Sequence, residues 1–166
     1  MERYLKDLNV WVWRYLENER NYPGLHFTAD AAACDTLRTL LQTLRVEGGG
    51  TRRTLNLRKL AAADERKISY GQRYQDFSKL HLKLSRPSEE LKYMSASFEG
   101  VVAQLDFTPA YLDLFEEGIA DVARGEGDYA IGPPHRKRDR KAMPERDRES
   151  LALWFWPCFG HRGPVS

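Results

Sequence analysis

The chain has 166 residues, of which 42% are hydrophobic, and its 26 Lys and Arg against 24 Asp and Glu give a formal net charge of +2. This length suits a single domain with a substantial core, so we expect one domain over residues 1–166. So small a net charge excludes a whole-protein field that would attract nucleic acid or a membrane surface.

Cysteine usage and hydropathy exclude two further classes of protein. Cys34 and Cys158 stand alone, without the close spacing of a zinc site or the density of a disulfide-rich secreted scaffold. No apolar stretch approaches the roughly 20 residues that span a bilayer, and the N-terminus lacks the apolar segment of a signal peptide. We therefore expect a cytoplasmic protein with no membrane association.

Two short strands are predicted near the N-terminus. Residues 9–15 are dense in β-branched and aromatic side chains, which favours a strand, although a helical stripe through residues 4–16 fits the same letters. Both interpretations stay open for this segment. The turn residues at 21–24 precede a short returning strand at 25–28.

An amphipathic helix follows these strands. Thr28 or Asp30 can cap its first N–H groups, and the three glycines at 48–50 end it. The predicted buried face consists of Ala33, Leu37, Leu40, Leu41 and Leu44.

The middle of the chain is expected to contribute several strands. Residues 53–59 and 79–85 alternate between apolar and polar side chains, which is typical of half-buried antiparallel strands. Two further strands are predicted at about 90–97 and 101–107. Residues 61–78 are polar and weakly patterned, and we expect a loop or a short helix there.

A second helix has the clearest boundaries in the sequence. Thr108 is suited to cap it, Pro109 suits its first position and Gly125 suits its end. Its predicted buried stripe is Leu112, Phe115, Ile119 and Val122.

The last part of the chain reads as two strands around a loop. Residues 127–132 predict a short strand, residues 133–150 a mobile charged loop, and residues 151–156 a final strand. In that strand Trp154 and Trp156 share one face, while the other face is apolar as well, so we expect the strand to be covered on both sides. The similar doublet at residues 11–13 suggests that the two terminal strands are neighbours with their Trp pairs stacked on one side.

Together these elements predict an α+β fold: one mostly antiparallel sheet of five to seven strands, with two main helices packed on one face. A short internal echo supports paired units, because the segments HFTADAAACDTL and LDFTPAYLDLF both run from a strand through Phe-Thr into a helix.

No catalytic motif, metal-ligand spacing or phosphate-binding glycine loop occurs, so we predict no catalytic residue, metal or cofactor. Charge segregation instead favours a non-enzymatic domain that binds another protein through an acidic helix face or an exposed sheet edge. The candidate binding residues are Asp113, Glu116, Glu117 and Asp121 on that face, with Trp154 and Trp156 as an aromatic platform.

Two alternative functions are kept. The first is a small-ligand binder or enzyme whose site is assembled from dispersed residues such as Trp154, Tyr129, His81 and Asp128. The second is a nucleic-acid module on a basic sheet face, which we consider weaker because that face lacks interleaved aromatic residues. The residues that would form it are Arg52, Arg53, Arg58, Lys59, Lys79, Lys83 and Arg86.

The segment GEGDYAIG, followed by LWFW, resembles the tails of small uncharacterised bacterial α+β proteins, some of which are immunity partners of polymorphic toxins. The resemblance covers roughly residues 90–157. It implies a protein-binding role, such as toxin neutralisation, and carries no catalytic residues with it.

Overall fold

Nine strands and two helices form within the described parts of the chain. The computed structural model describes residues 8–16, 23–61, 73–86, 94–133, 141 and 150–158. The strands are β1 (Val10–Tyr15), β2 (Leu25–Ala29), β3 (Arg52–Asn56), β4 (Tyr74–Asp76), β5 (Lys79–Leu84), β6 (Ser95–Glu99), β7 (Val102–Phe107), β8 (Tyr129–Ile131) and β9 (Leu153–Phe155). The helices are α1 (Ala31–Glu47) and α2 (Pro109–Ala123).

The first helix begins and ends through the residue types that the sequence offers. The Asp30 carboxylate accepts a hydrogen bond from the Ala33 N–H at 2.8 Å, so Asp30 is the N-cap. Thr28 does not cap the helix, because its hydroxyl donates to the Trp156 carbonyl at 2.7 Å. Gly48 ends α1 with a φ of 88°, a conformation that glycine adopts without strain.

The second helix confirms its predicted boundaries in the same way. The Thr108 hydroxyl accepts from the Tyr111 N–H at 3.2 Å, and Pro109 occupies the first turn. The chain leaves α2 through Arg124 and Gly125, whose φ is 80°.

Two segments differ from the sequence-based expectations. Residues 10–15 form a strand, which decides against the helical alternative for that segment. The short strand β4 lies within residues 61–78, where a loop or short helix was predicted. It forms because its backbone pairs with β1, and the local sequence does not indicate that β1 has an edge open for pairing. Most of the predicted mobile loop at 133–150, and residues 90–93 of the predicted strand at 90–97, lie outside the described residues.

The protein is α+β, but the prediction of one mostly antiparallel sheet is wrong. A five-stranded sheet has the order β4-β1-β2-β9-β8, and a four-stranded sheet has the order β3-β5-β7-β6. Both sheets are mixed, because β2 pairs in parallel with β9 and β5 pairs in parallel with β7. Each parallel pair joins strands that are not consecutive in the chain, which alternation alone does not predict.

The two sheets are built on one repeated plan. The order β1-β2-β9-β8 and the order β6-β7-β5-β3 have the same pattern of antiparallel, parallel and antiparallel pairs. Each half of the chain supplies a hairpin and a helix, and then sends two later strands into the sheet of the other half: β3 and β5 from the first half, β8 and β9 from the second. Strand β4 is outside this plan, because it pairs with β1 in the sheet of its own half. The Phe-Thr echo in the sequence lies close to the point where each hairpin leads into its helix, although Thr108 caps α2 and Thr28 lies inside β2.

One hydrophobic core joins these layers. The helices pack against each other, α1 contacts β5, and α2 contacts β2, β7 and β9, so they face strands of both sheets rather than one face of one sheet. The predicted helix stripes are fully buried in this core, together with Phe27, Phe107 and Phe155. None of the described helices is long and apolar enough to cross a membrane.

Candidate functional site

The outer face of the five-stranded sheet carries an aromatic layer, which we define as Trp11, Trp13, Tyr15, His26, Tyr74, Trp154 and Trp156. His26 lies at its centre and is fully buried. Its ring stacks on Trp13 at 5.6 Å, on Trp154 at 6.0 Å and on Trp156 at 5.9 Å between ring centroids. The terminal Trp pairs therefore share one face, but β2 lies between β1 and β9, so these strands are not neighbours.

Hydrogen bonds tie both candidate tryptophans into this layer. The Trp156 indole N–H donates to His26 Nδ1 at 2.8 Å, which places the proton of the imidazole on Nε2. The Trp154 indole N–H donates to the Pro23 carbonyl at 2.8 Å. The two side chains are half-buried, and their polar atoms are used within the protein, which gives the pair a structural role.

The predicted acidic face of α2 is largely neutralised by neighbouring side chains. Arg45 of α1 contacts Asp113 at 2.8 Å and Glu116 at 3.2 Å, so a guanidinium lies between the two helices. The sequence could not indicate this pairing, because it depends on how α1 and α2 pack.

Asp121 is occupied as well. It accepts a hydrogen bond from the Tyr129 hydroxyl at 2.6 Å and forms an ion pair with Arg124. Burial, followed by the hydrogen bond to Asp121, raises the pKa of Tyr129 well above its usual value, so this phenol stays a donor. Glu117 and Asp113 are the exposed members of the predicted face.

The dispersed site considered as an alternative is not assembled. Trp154 lies in the aromatic layer, whereas Tyr129 packs on the opposite side of the same sheet beside Phe155. His81 lies on β5 in the other sheet. The fold does not bring these side chains together.

A different surface is open: the outer face of the four-stranded sheet. The strand registers place its side chains in three rows, and none of them is buried. The rows are Asn56, Lys79, Val102 and Glu99; Thr54, His81, Gln104 and Ser97; and Arg52, Lys83, Asp106 and Ser95. The alternation of residues 79–85 and 101–107 already indicated a polar face, but the sequence did not show which strands share it.

His81 lies in the middle row of this outer face, beside a shallow hollow of about 440 Å³. The hollow is lined by Arg52, His81, Ser97, Phe98, Glu99, Val102 and Gln104. The Thr54 hydroxyl and His81 Nδ1 are 2.7 Å apart. Partial burial, with the nearby charges of Arg52 and Lys79, lowers the pKa of His81 and so favours the neutral ring.

The basic residues named for nucleic-acid binding do not form a uniform patch. Arg52, Lys79 and Lys83 share the outer face with Glu99 and Asp106. The Arg53 guanidinium contacts both carboxylate oxygens of Glu47, at 2.5 and 2.6 Å. The face therefore has mixed charge with a modest positive excess.

The two cysteines are buried thiols. Burial, with smaller contributions from Asp30, Cys158 and Asp35, raises the pKa of Cys34 to about 12. The neutral thiol of Cys34 is a poor nucleophile, which fits packing rather than reactivity.

Among the described residues, no group of three or more His, Cys, Asp or Glu side chains is placed to hold a metal ion. Comparison with protein-family models, with curated proteins and with solved structures gives no match for this chain.

Proposed function

We propose that the chain is a non-enzymatic protein-binding domain, and that the outer face of the four-stranded sheet is its docking surface. The observation that carries this proposal is that no side chain of this face is buried, although the opposite face of the same sheet lies in the core. Its mixed polar and charged side chains around a shallow hollow are of the kind found at the polar rim of a non-obligate protein interface.

This proposal moves the docking surface away from α2. Arg45, Tyr129 and Arg124 already bind three of the four predicted carboxylates, so a basic partner would have to displace internal contacts there. The outer face requires no such exchange at Arg52, Ser97 or Glu99, which are exposed.

The size of the face sets a further condition on docking. Four strands of about five residues give a flat area of roughly 15 by 17 Å. A stable interface buries about 800 Å² on each partner. The partner must therefore also contact the margins of the sheet, including Phe98 and Val101, which are 37% and 55% exposed.

A photo-crosslinking amino acid at Ser97 tests the proposal in the cells that naturally contain the protein. Ser97 is exposed on the outer face, and Thr39, exposed on α1, is the matched control position. We expect one abundant protein adduct from position 97 and none from position 39. Equal adducts from both positions, or adducts to nucleic acid alone, would contradict the proposal.

Toxin neutralisation is the particular form of protein binding that the resemblance of residues 90–157 implies. In that case the adduct contains a toxin domain, and addition of the purified chain suppresses that domain's activity in proportion to complex formation. If the adduct contains a protein whose activity the chain leaves unchanged, the chain binds a protein partner but does not neutralise it.

A further inference from the structure

Strand β3 forms an edge of the four-stranded sheet whose backbone pairs on one side only, among the described residues. The bonds that flank its ladder fix which groups face β5: the Leu57 N–H donates to the Ser78 carbonyl, and the Leu84 N–H donates to the Thr51 carbonyl. Because antiparallel pairs alternate, the backbone groups of Arg52, Thr54 and Asn56 are directed away from β5.

From this edge we infer that β3 accepts an acidic, extended segment of a partner protein as an additional strand. The inference rests on the proposed protein-binding function and names the chemistry of the partner. Main-chain hydrogen bonds would supply affinity, and alternate side chains of the added strand would lie beside the outer face.

The length available on the β3 edge is defined by its neighbours. Beyond Asn56, the next outward N–H, that of Arg58, donates to the Val10 carbonyl at 2.9 Å and is already used by β1. The Arg52 carbonyl accepts from the half-buried Arg53 side chain at 2.9 Å, and an added strand would have to replace this contact. The edge therefore suits a segment of about five residues, or roughly 17 Å.

The opposite edge of the same sheet is less suitable. The Ala96 carbonyl of β6 accepts from the Leu151 N–H at 2.9 Å, and the Ala96 N–H donates to the Ser150 hydroxyl at 3.0 Å. These contacts cover the outward groups at the centre of β6.

Charge identifies the occupant. Arg52, Arg58, Lys59 and Lys79 are exposed around the β3 edge, and none forms an ion pair within the described part of the chain. The nearby Glu47 carboxylate is held by Arg53. A second copy of this chain would bring like charges together, whereas Asp or Glu at every second position of an added strand would lie beside Arg52 on β3 and roughly 10 Å, or two strand spacings, from Lys79 on β5.

The test uses a synthetic capped peptide, Thr-Glu-Val-Glu-Val-Glu-Thr, and its counterpart in which Lys replaces each Glu. We expect the acidic peptide alone to slow hydrogen exchange at the amides of Arg52, Thr54 and Asn56, as measured by NMR on the full chain. Docking on the sheet face without strand addition would leave these amides unprotected and would overturn the inference.

Thr54→Pro removes an outward N–H that no ladder bond uses, and an edge strand tolerates proline where its N–H faces solvent. We expect native circular dichroism and at least about tenfold weaker binding of the acidic peptide, because one main-chain hydrogen bond is lost and the proline ring blocks close approach. Thr54→Val keeps the backbone donor and should bind within about twofold of the original protein. Asn56→Pro tests the same edge if Thr54→Pro does not fold.

Three results would overturn the inference. The first is unchanged peptide affinity in both proline variants. The second is displacement of the peptide by a single-stranded oligonucleotide that binds the Thr54→Pro variant as tightly as the original protein, and the third is a homodimer that Thr54→Pro dissociates. Failure here is distinguishable from failure of the proposed function. If position 97 still yields the protein adduct in the Thr54→Pro variant, the partner docks on the outer face and the edge is not used.

Discussion

His26 is fully buried, yet its imidazole takes part in a polar contact inside an aromatic layer. The neighbouring rings of Trp13 and Tyr15 exclude water from the imidazole. Loss of the hydrogen bond from the Trp156 indole would therefore leave a buried acceptor unsatisfied, which lowers the stability of the fold. The Trp154 indole donates instead to the Pro23 carbonyl, which belongs to a half-exposed residue that water can reach. The two tryptophans look equivalent in sequence, but the N–H of Trp156 donates to a buried acceptor and the N–H of Trp154 donates to one that water can reach.

Trp156→Phe should therefore destabilise the protein by about 1–3 kcal/mol more than Trp154→Phe, because only the first change leaves a buried acceptor without its donor. Urea denaturation of the two variants measures the difference. Both substitutions remove the same atoms from half-buried side chains, so equal losses would show that the bond to His26 does not contribute to stability.

At the scale of elements, α2 packs closely against β9 where it carries Gly118. This glycine is buried, and a methyl group at its Cα would overlap the Phe155 ring of β9. The absence of a side chain thus allows α2 to approach the strand closely, although glycine is unfavourable inside a helix by roughly 1 kcal/mol.

Gly118→Ala is expected to lower the free energy of unfolding by about 1–3 kcal/mol, because overpacking outweighs the gain in helix propensity. Thermal or urea unfolding gives this value. Phe155→Leu makes room for the methyl group, so the same substitution should cost less in that background, and a double-mutant cycle measures the coupling. Additive effects would contradict the predicted overlap.

Several elements could be predicted from the sequence because their signals are local. Asp30 and Thr108 cap helices with their own side chains, and the apolar stripes that follow repeat at helical spacing. Strand β4 was missed because three residues show no alternation, and its partner β1 is distant in the chain. The neutralised acidic face was missed for a related reason, since Arg45 reaches Asp113 only after the two helices pack.

At the scale of the whole molecule, the division into two sheets could not be predicted, because alternation defines the faces of a strand but not its partners. The parallel pair β2/β9 places Phe27 opposite Phe155, and the pair β5/β7 joins the strands that precede and follow β6 along the chain. As a result, each sheet contains strands from both halves of the chain. Neither half contains a complete sheet.

A cut between Glu89 and Glu90 separates the two halves, residues 1–89 and 90–166. We expect each fragment alone to lack the native far-ultraviolet circular dichroism, because each exposes a sheet that needs strands from the other. An equimolar mixture should recover native structure as a one-to-one complex, measured by circular dichroism and sedimentation. A fragment that folds and remains monomeric by itself would contradict the exchange of strands.

The direction of the strands also determines how the domain resists mechanical force. β1 begins and β9 ends at the same end of the five-stranded sheet, because Val10 lies opposite Ala29 while Phe155 lies opposite Phe27. The two attachment points are separated by about two strand spacings, or roughly 10 Å. Tension applied through them loads the ladder bonds of β1 and β9 one after another rather than in shear, so the sheet opens like a zipper from that end.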